Sequence, residues 1–172
     1  MSESGSWISL QLNDLPDAMR RTEGPLPAGI RLRTVDLAAD LPRIAALYNA
    51  AFGLDSPDAI TAELVAQFTW HPGLHPNGAF LAFDGHRAVG LGVGSVEVPA
   101  PGGRVRYGAV ELLAVHPDHQ RRGIGRALLH AVLGWLWGQG VSVAGASAQD
   151  LAPLAMLQRY GFVEAIRPLS VP

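Results

Sequence analysis

The run Gln120-Arg121-Arg122-Gly123-Ile124-Gly125 constrains this chain more than any other feature. It stands between a strand-like segment, Tyr107–Val115, and a long segment that repeats apolar residues at Ile124, Ala127, Leu128, Ala131, Val132, Trp135 and Leu136. Those spacings fit a helix from Gly123 to about Gly138 with one apolar face. Val141 to Ala146 then reads as a second strand. Strand, loop, helix and strand in that order form a β-α-β unit, whose right-handed crossover makes the two strands parallel. Glycines let backbone N–H groups approach a ligand closely. The helix start adds unpaired donors and the positive end of a dipole. Arg121, Arg122 and Arg126 supply planar forks that match phosphate oxygens. The turn is therefore predicted to hold a pyrophosphate.

The loop length decides which kind. A dinucleotide fold also opens a helix with Gly-x-Gly, but its glycines follow the strand in a tight turn. Here the whole stretch His116–Arg122 separates Val115 from Gly123. The third small residue of that fingerprint would fall at Leu128, and Val141 to Ala148 offers no carboxylate for a ribose. A P-loop is excluded because its Gly-Lys-Ser/Thr ending is missing.

The run instead resembles the central motif of the GNAT superfamily of N-acetyltransferases, Gln/Arg-x-x-Gly-x-Gly/Ala after a strand ending Leu-x-Val and a His/Asp-Pro loop. This chain has Leu113-Ala114-Val115, His116-Pro117, the glycine turn, and later Tyr160-Gly161-Phe162, similar to the family's closing Gly-Phe. The likeness is specific over Val110 to Phe162 and coarse from Gly29 to Pro168. It implies acetyl-CoA as co-substrate. It further implies that backbone groups of Leu113, Ala114 and Val115 hold the thioester and pantetheine arm. The Leu113 N–H would be the oxyanion donor. Gln120, Arg121, Arg122, Gly123, Ile124, Gly125, Arg126 and Ala127 would wrap the pyrophosphate, mostly through N–H groups. Asp150 stands where the family has an asparagine beside pantetheine.

Residues 29–172 are expected to form one α/β domain with a mixed, mainly antiparallel sheet, helices on both faces and the parallel β-α-β unit for CoA. Ile30–Val35, Ala79–Phe83, Ala88–Val98 and Phe162–Arg167 read as further strands. Asp40 is read as an N-cap with Pro42 in the first turn of a helix carrying Ile44, Leu47, Tyr48 and Ala51. Ser56-Pro57 reads as the start of another, bearing Ile60, Leu64 and Phe68. Trp70 to Gly78 reads as a loop, and Leu151–Arg159 as a short helix capped by Asp150. Residues 1–28 read as an extension or linker. Within it Trp7 to Leu12 alternates with period two. The likeness implies one more strand than the C-terminus provides, and Trp7–Leu12 is expected to fill that edge place, within the chain or across a homodimer.

Composition narrows the function. The net charge of −2 gives no general attraction to nucleic acid or to an anionic membrane. Positive charge is local to the glycine turn rather than spread over a face. The absence of Cys excludes thiolate zinc sites and a cysteine nucleophile, and the absence of Lys excludes Schiff-base chemistry. His71 and His75 have i, i+4 spacing, but Pro72 and Gly73 argue against a helical metal pair. His130 reads as surface. No secretory signal is seen at Met1–Ser6, and no apolar run is long enough to span a bilayer. A cytoplasmic, bacterial protein acting on a small-molecule or peptide amine is expected, with no metal.

Proton transfer is written less plainly. Glu111 is the only carboxylate in Tyr107–Val115. Period two sets it on a face with Leu113 and Val115 and opposite Gly92, where Gly90, Gly92 and Gly94 leave space for an acceptor. It is either a general base or an ion-pair partner of Arg33 or Arg106. The family's glutamate commonly stands two residues earlier, at Ala109 here. Its tyrosine acid falls at Leu157, which donates no proton. Tyr160 reads as packing, with Ser147 and Gln149 as polar neighbours, and Tyr48, Phe52, Phe68 and Trp70 as acceptor wall or core. The readings compared are acetyl transfer to an amine by direct attack, an acyl-CoA-binding module without catalysis, and transfer from a longer acyl-CoA.

Overall fold

The computed structural model describes residues 8–68, 74–97, 105–148 and 151–165. The β-α-β unit sits at its centre. Strand β5 (Tyr107–Val115) leads through a single 3₁₀ turn, Pro117–His119, into helix α4 (Ile124–Gly138), and α4 returns to strand β6 (Val143–Ala148). Strands β5 and β6 are parallel, from Tyr107↔Val143 to Val110↔Ala146. The neighbouring pairs of the sheet run antiparallel.

The described strands form a seven-stranded sheet in the order β2-β3-β4-β5-β6-β1-β7. Here β1 is Ile8–Leu12, β2 is Ile30–Thr34, β3 is Leu74–Asp84, β4 is Arg87–Val96 and β7 is Val163–Glu164. The N-terminal strand is thus interior rather than at the edge. It pairs with β6 on one side and with β7 on the other, within a single chain. Its Leu10 and Leu12 point into the core and are 1% exposed. Alternation of apolar residues foretold the strand, while its neighbours are set by contacts far away in sequence. Of the expected strand Phe162–Arg167, Val163–Glu164 forms β7, and residues 166–172 lie outside the described residues.

Helix α4 covers one face. Leu128, Leu129, Val132, Leu133 and Leu136 are fully buried there. Burying each such side chain contributes roughly 1.5–3 kcal/mol. The close approach depends on the glycines of β4. A Cβ on Gly90 would lie 2.8 Å from Leu128, and one on Gly94 would lie 2.9 Å from Val132. Gly90, Gly92 and Gly94 therefore make room for α4, not for an acceptor. Helix α1 (Leu15–Thr22) packs beside α4, capped by Asp14, whose carboxylate accepts from the Asp17 N–H at 2.9 Å. This stretch falls within the expected extension or linker 1–28, although Asp14 and Pro16 form a helix-start signal. Thr22 Oγ1 lies 2.9 Å from His130 Nδ1, so His130 is a half-buried partner of α1 rather than free surface. Leu157 and Tyr160, in and just after helix α5 (Leu151–Arg159), join the core on this side.

Helices α2 (Leu37–Phe52) and α3 (Ala62–Phe68) cover the opposite face. The cap of α2 is Asp36, which accepts from the Ala38 N–H at 3.0 Å. Asp40 and Pro42 lie inside the helix instead of at its start. Asp40 is fully buried and held by a fork from Arg33, with N–O distances of 2.6 and 2.8 Å. Arg43 and the Asp36 N–H complete its shell at 3.2 and 2.9 Å. The Arg33 hydrogen bond is the main reason that the Asp40 carboxyl falls to a pKa of about 2. The demand for a buried carboxylate partner, a long-range matter, overrides the local capping signal. Helix α3 starts at Ala62, because Ser56-Pro57 lies in a turn ahead of it. Among the described residues no helix is long and apolar enough to cross a membrane.

Candidate functional site

Two irregularities of β5 create the site. The first is a bulge. Val93 pairs with Leu112 but the next residue, Gly94, pairs with Val110, so Glu111 is an extra residue with no partner across the strand. A bulge re-aims side chains and breaks the two-residue alternation. Leu113 consequently faces Gly92 and α4, whereas Glu111 and Leu112 both face the α2–α3 side. This corrects the expectation that Glu111 shares a face with Leu113 and Val115 opposite Gly92. Glu111 Oε1 accepts a hydrogen bond from Ser95 Oγ on β4. Neither arginine considered as an ion-pair partner holds it. Arg33 is committed to Asp40, and Arg106 donates to the Gln139 carbonyl.

Glu111 lines a cavity of about 490 Å³ between the sheet and helices α2 and α3. Ile44 and Tyr48 on α2, Leu64 and Val65 on α3, Leu91 and Val93 on β4, and Ile60 before α3 form its walls. His75 and Pro76 close it from the irregular part of β3, where the sequence predicts a loop. Among the described lining residues Glu111 is the only carboxylate. Asn49 fixes one wall. Its side chain donates to the Ile60 carbonyl and accepts from the Ile60 N–H, both at 2.9 Å. Of the aromatic wall expected from the sequence, Tyr48 lines the cavity and packs on Phe52 with ring centres 4.5 Å apart. Phe52 itself is about half exposed. Trp70, His71 and the side chain of Phe68 lie outside the described residues.

The second irregularity is a wedge. Pairing between β5 and β6 ends at Val110↔Ala146, although β5 runs to Val115 and β6 to Ala148. The His116 N–H bonds Val89 on β4 at 2.9 Å. By alternation Ala114 faces β4 too, and Leu113 and Val115 present their N–H and C=O groups to the wedge. The Val115 carbonyl accepts from Gln120 Nε2 at 3.2 Å, which agrees with that direction. Leu113 N–H and Glu111 therefore stand two residues apart on the same strand, one opening on the wedge and the other on the cavity.

Beyond the wedge lies the glycine turn. Gly123 caps α4 in a left-handed conformation, φ 86°, and no side chain bonds the first-turn N–H groups. Ala127 N–H is taken by the Gly123 carbonyl at 3.1 Å. Ile124, Gly125 and Arg126 precede the first intrahelical bond, so their N–H groups point out of the helix end. Arg121 also has positive φ, 63°. Strain of this kind gathers at ligand-gripping loops and costs on the order of 1–3 kcal/mol. Asp84 tethers the turn from the β3–β4 hairpin, 3.2 Å from Arg122 Nη1 and 3.4 Å from His119 Nε2. The Arg126 side chain turns away and donates to the carbonyls of Thr22 and Pro25 at 2.5 and 2.6 Å. Its guanidinium thus fastens the N-terminal segment to α4, leaving its N–H at the turn.

At the position expected for a tyrosine acid, Leu157 is buried in the core, and Tyr160 is buried with it. Ser147 is exposed on β6, opposite Ser9 of β1. Asp150 and Gln149 lie outside the described residues. Ser95 and Asn49 are not marked as site residues by any sequence motif. Ser95 had a weak signal, being the polar member of the alternating set Leu91, Val93 and Ser95. Asn49 had none, because its partner lies across a turn.

The arrangement agrees with what the chain is similar to. The model of the acetyltransferase (GNAT) family matches residues 41–162. A mycothiol acetyltransferase of Mycobacterium avium (strain 104) is 30% identical over 167 residues, covering 88% of this chain and 50% of that protein. One from Thermobispora bispora is 34% identical over 118 residues, 67% of this chain and 40% of that protein. The chain spans about half the length of the curated relatives it matches. Among solved structures, a tandem GNAT protein from the clavulanic acid biosynthesis pathway superposes with a TM-score of 0.73 at 16% identity. It covers 95% of this chain and 51% of that one. A GCN5-related N-acetyltransferase from Sphaerobacter thermophilus gives 0.68 at 22% identity, with coverage of 92% and 48%. These two show the fold, and the family match together with the 30% relative shows the descent: the chain belongs to the acetyltransferase (GNAT) family.

Proposed function

We propose that the chain transfers an acetyl group from acetyl-CoA to an amine by direct attack in a ternary complex. The observation that carries this reading is the meeting, at one bulge of β5, of a wedge with an outward N–H and a cavity with a carboxylate. The start of α4 suits a pyrophosphate: the N–H groups of Ile124, Gly125 and Arg126 point out of the helix end, its cap is open, and Arg122, paired with Asp84, stands beside it, whereas the Ala127 N–H is taken by the Gly123 carbonyl. The Leu113 backbone groups and the Val115 N–H face the wedge, where a pantetheine arm would pair with them as with a strand edge, while the Val115 carbonyl is held by Gln120. Asp150 is assigned to the same arm from sequence alone. Acetyl-CoA supplies the activated acetyl group.

Within that frame Glu111 accepts the proton of the acceptor amine, as a positioned base does. The nitrogen bonds to the acetyl carbon while the carbon–sulfur bond breaks. The Leu113 N–H donates to the carbonyl oxygen as charge gathers on it. The thiolate leaves with both bonding electrons and takes its proton from solvent. With a thiol pKa of ~8.5 it needs no dedicated acid. The buried Leu157 favours a second reading, an acyl-CoA-binding module that has lost catalysis. Initial velocities of free CoA release, measured against a panel of amines at several acetyl-CoA concentrations, separate the two. Intersecting double-reciprocal lines are expected; parallel lines contradict direct attack, and CoA binding without release supports the module.

A further inference from the structure

The acceptor's chemistry is written in the walls of the cavity. Aliphatic side chains dominate them, and among the described lining residues three carry polar side-chain atoms: Tyr48, His75 and Glu111. A polyhydroxylated acceptor would leave most of its hydroxyls without partners here, at a cost of roughly 1–3 kcal/mol for each buried group. A polyamine would bring several charges to a cavity with a single carboxylate among the described lining residues. A volume of about 490 Å³ is in the usual range for a small molecule. The carboxylate also argues against an acyl chain, since a hydrocarbon tail would desolvate Glu111 without compensating it. An ammonium or amine there compensates it directly.

We infer that the acceptor is a small monoamine with an apolar body, alkyl or arylalkyl, whose nitrogen meets Glu111 and whose body fills the cavity beside Val93 and Ile60. The inference rests on the acetyl-transfer reading for its reaction but on the cavity alone for its chemistry. Ser95 holds the carboxylate from the strand side, which leaves its other oxygen for the amine. Asn49 holds the Ile60 wall at fixed depth, so the cavity is preformed.

The test is a series on the full chain: ethylamine, butylamine, hexylamine, octylamine and phenethylamine, with spermidine and glucosamine as polar comparators. Two quantities are read, the calorimetric Kd in the presence of CoA and kcat/KM from free CoA release with acetyl-CoA. Each added methylene that is buried is expected to tighten Kd and raise kcat/KM about fourfold, until the cavity is full. Val93→Phe, which shortens the cavity, should remove the gain beyond butylamine. Ile60→Thr, a milder change, should reduce it at every length.

A flat or falling series, or preference for spermidine or glucosamine, overturns this inference and leaves acetyl transfer standing. Length-dependent binding with no CoA release overturns acetyl transfer and upholds the cavity assignment. Faster turnover of ethylamine with octanoyl-CoA than with acetyl-CoA, together with a flat amine series, gives the cavity to the acyl chain and overturns the inference.

Discussion

Ser95 on β4 donates its hydroxyl to Glu111 on β5, across the one place where β5 carries an extra residue. The bulge turns the Glu111 side chain from the α4 face to the cavity, and the hydroxyl fixes its direction. Ser95 is thus a positioning residue, acting through Glu111. Ser95→Ala should lower kcat on the order of tenfold, with KM for the amine and Kd for CoA changed less than about twofold, as expected for a loosened catalytic group. Ser95→Thr, which keeps the hydroxyl, should recover most of the loss. A fall in melting temperature with kcat unchanged would assign Ser95 to stability alone.

The glycines of β4 are predicted to matter for folding and not for the acceptor. Gly94→Val would drive new methyl groups into Val132 and Trp135 of α4. Overpacking of this kind costs about 1–3 kcal/mol. Urea denaturation should show that loss, and the amine specificity should be unchanged. An altered amine preference at full stability would restore the idea that these glycines shape the acceptor pocket.

Asp40 predicts an acid-sensitive contribution. Its folded pKa, about 2, is below the ordinary aspartate value of 3.8. A lowered carboxyl pKa stabilises the fold above the unfolded value, and that contribution drains away as pH falls from about 4 towards about 2. The shift corresponds to on the order of 2 kcal/mol at neutral pH. Asp40→Asn should therefore be destabilised by about that much at pH ~7, with the gap to wild type closing in acid. Urea midpoints measured across that range check it; a gap that stays constant with pH would contradict it.

Strand β1 predicts a structural role for the N-terminal segment. Leu10→Ala removes a fully buried side chain from the core cluster that also holds Leu129, Leu133 and Phe162 and should cost about 2–5 kcal/mol. Thermal unfolding followed by circular dichroism should report it. A cost under about 0.5 kcal/mol, the range of surface changes, would mean that β1 is dispensable.

The parts of the chain that could be foreseen are those with strong local period. Tyr107–Val115 and Leu151–Arg159 fall where alternation and apolar spacing put them, and α4 differs by a single residue at its start. Other features were decided at long range. Glu111 could not be oriented from spacing, because one extra residue reverses every face beyond it. Asp40 looked like a cap because Asp before an apolar run usually is one, whereas Arg33 on a neighbouring strand claims it. Arg126 looked like a phosphate ligand because it follows Gly125, yet the carbonyls of Thr22 and Pro25 hold its fork. Helix α1 was hidden by the Gly-Pro-rich stretch after it.

The central claim is that the bulged carboxylate is the base for acetyl transfer. Its most direct measurement is kcat for free CoA release by Glu111→Gln beside the calorimetric Kd for CoA of the same protein. The account predicts kcat lower by on the order of a hundredfold or more, with Kd within about twofold of wild type. An unchanged kcat at several pH values would contradict it.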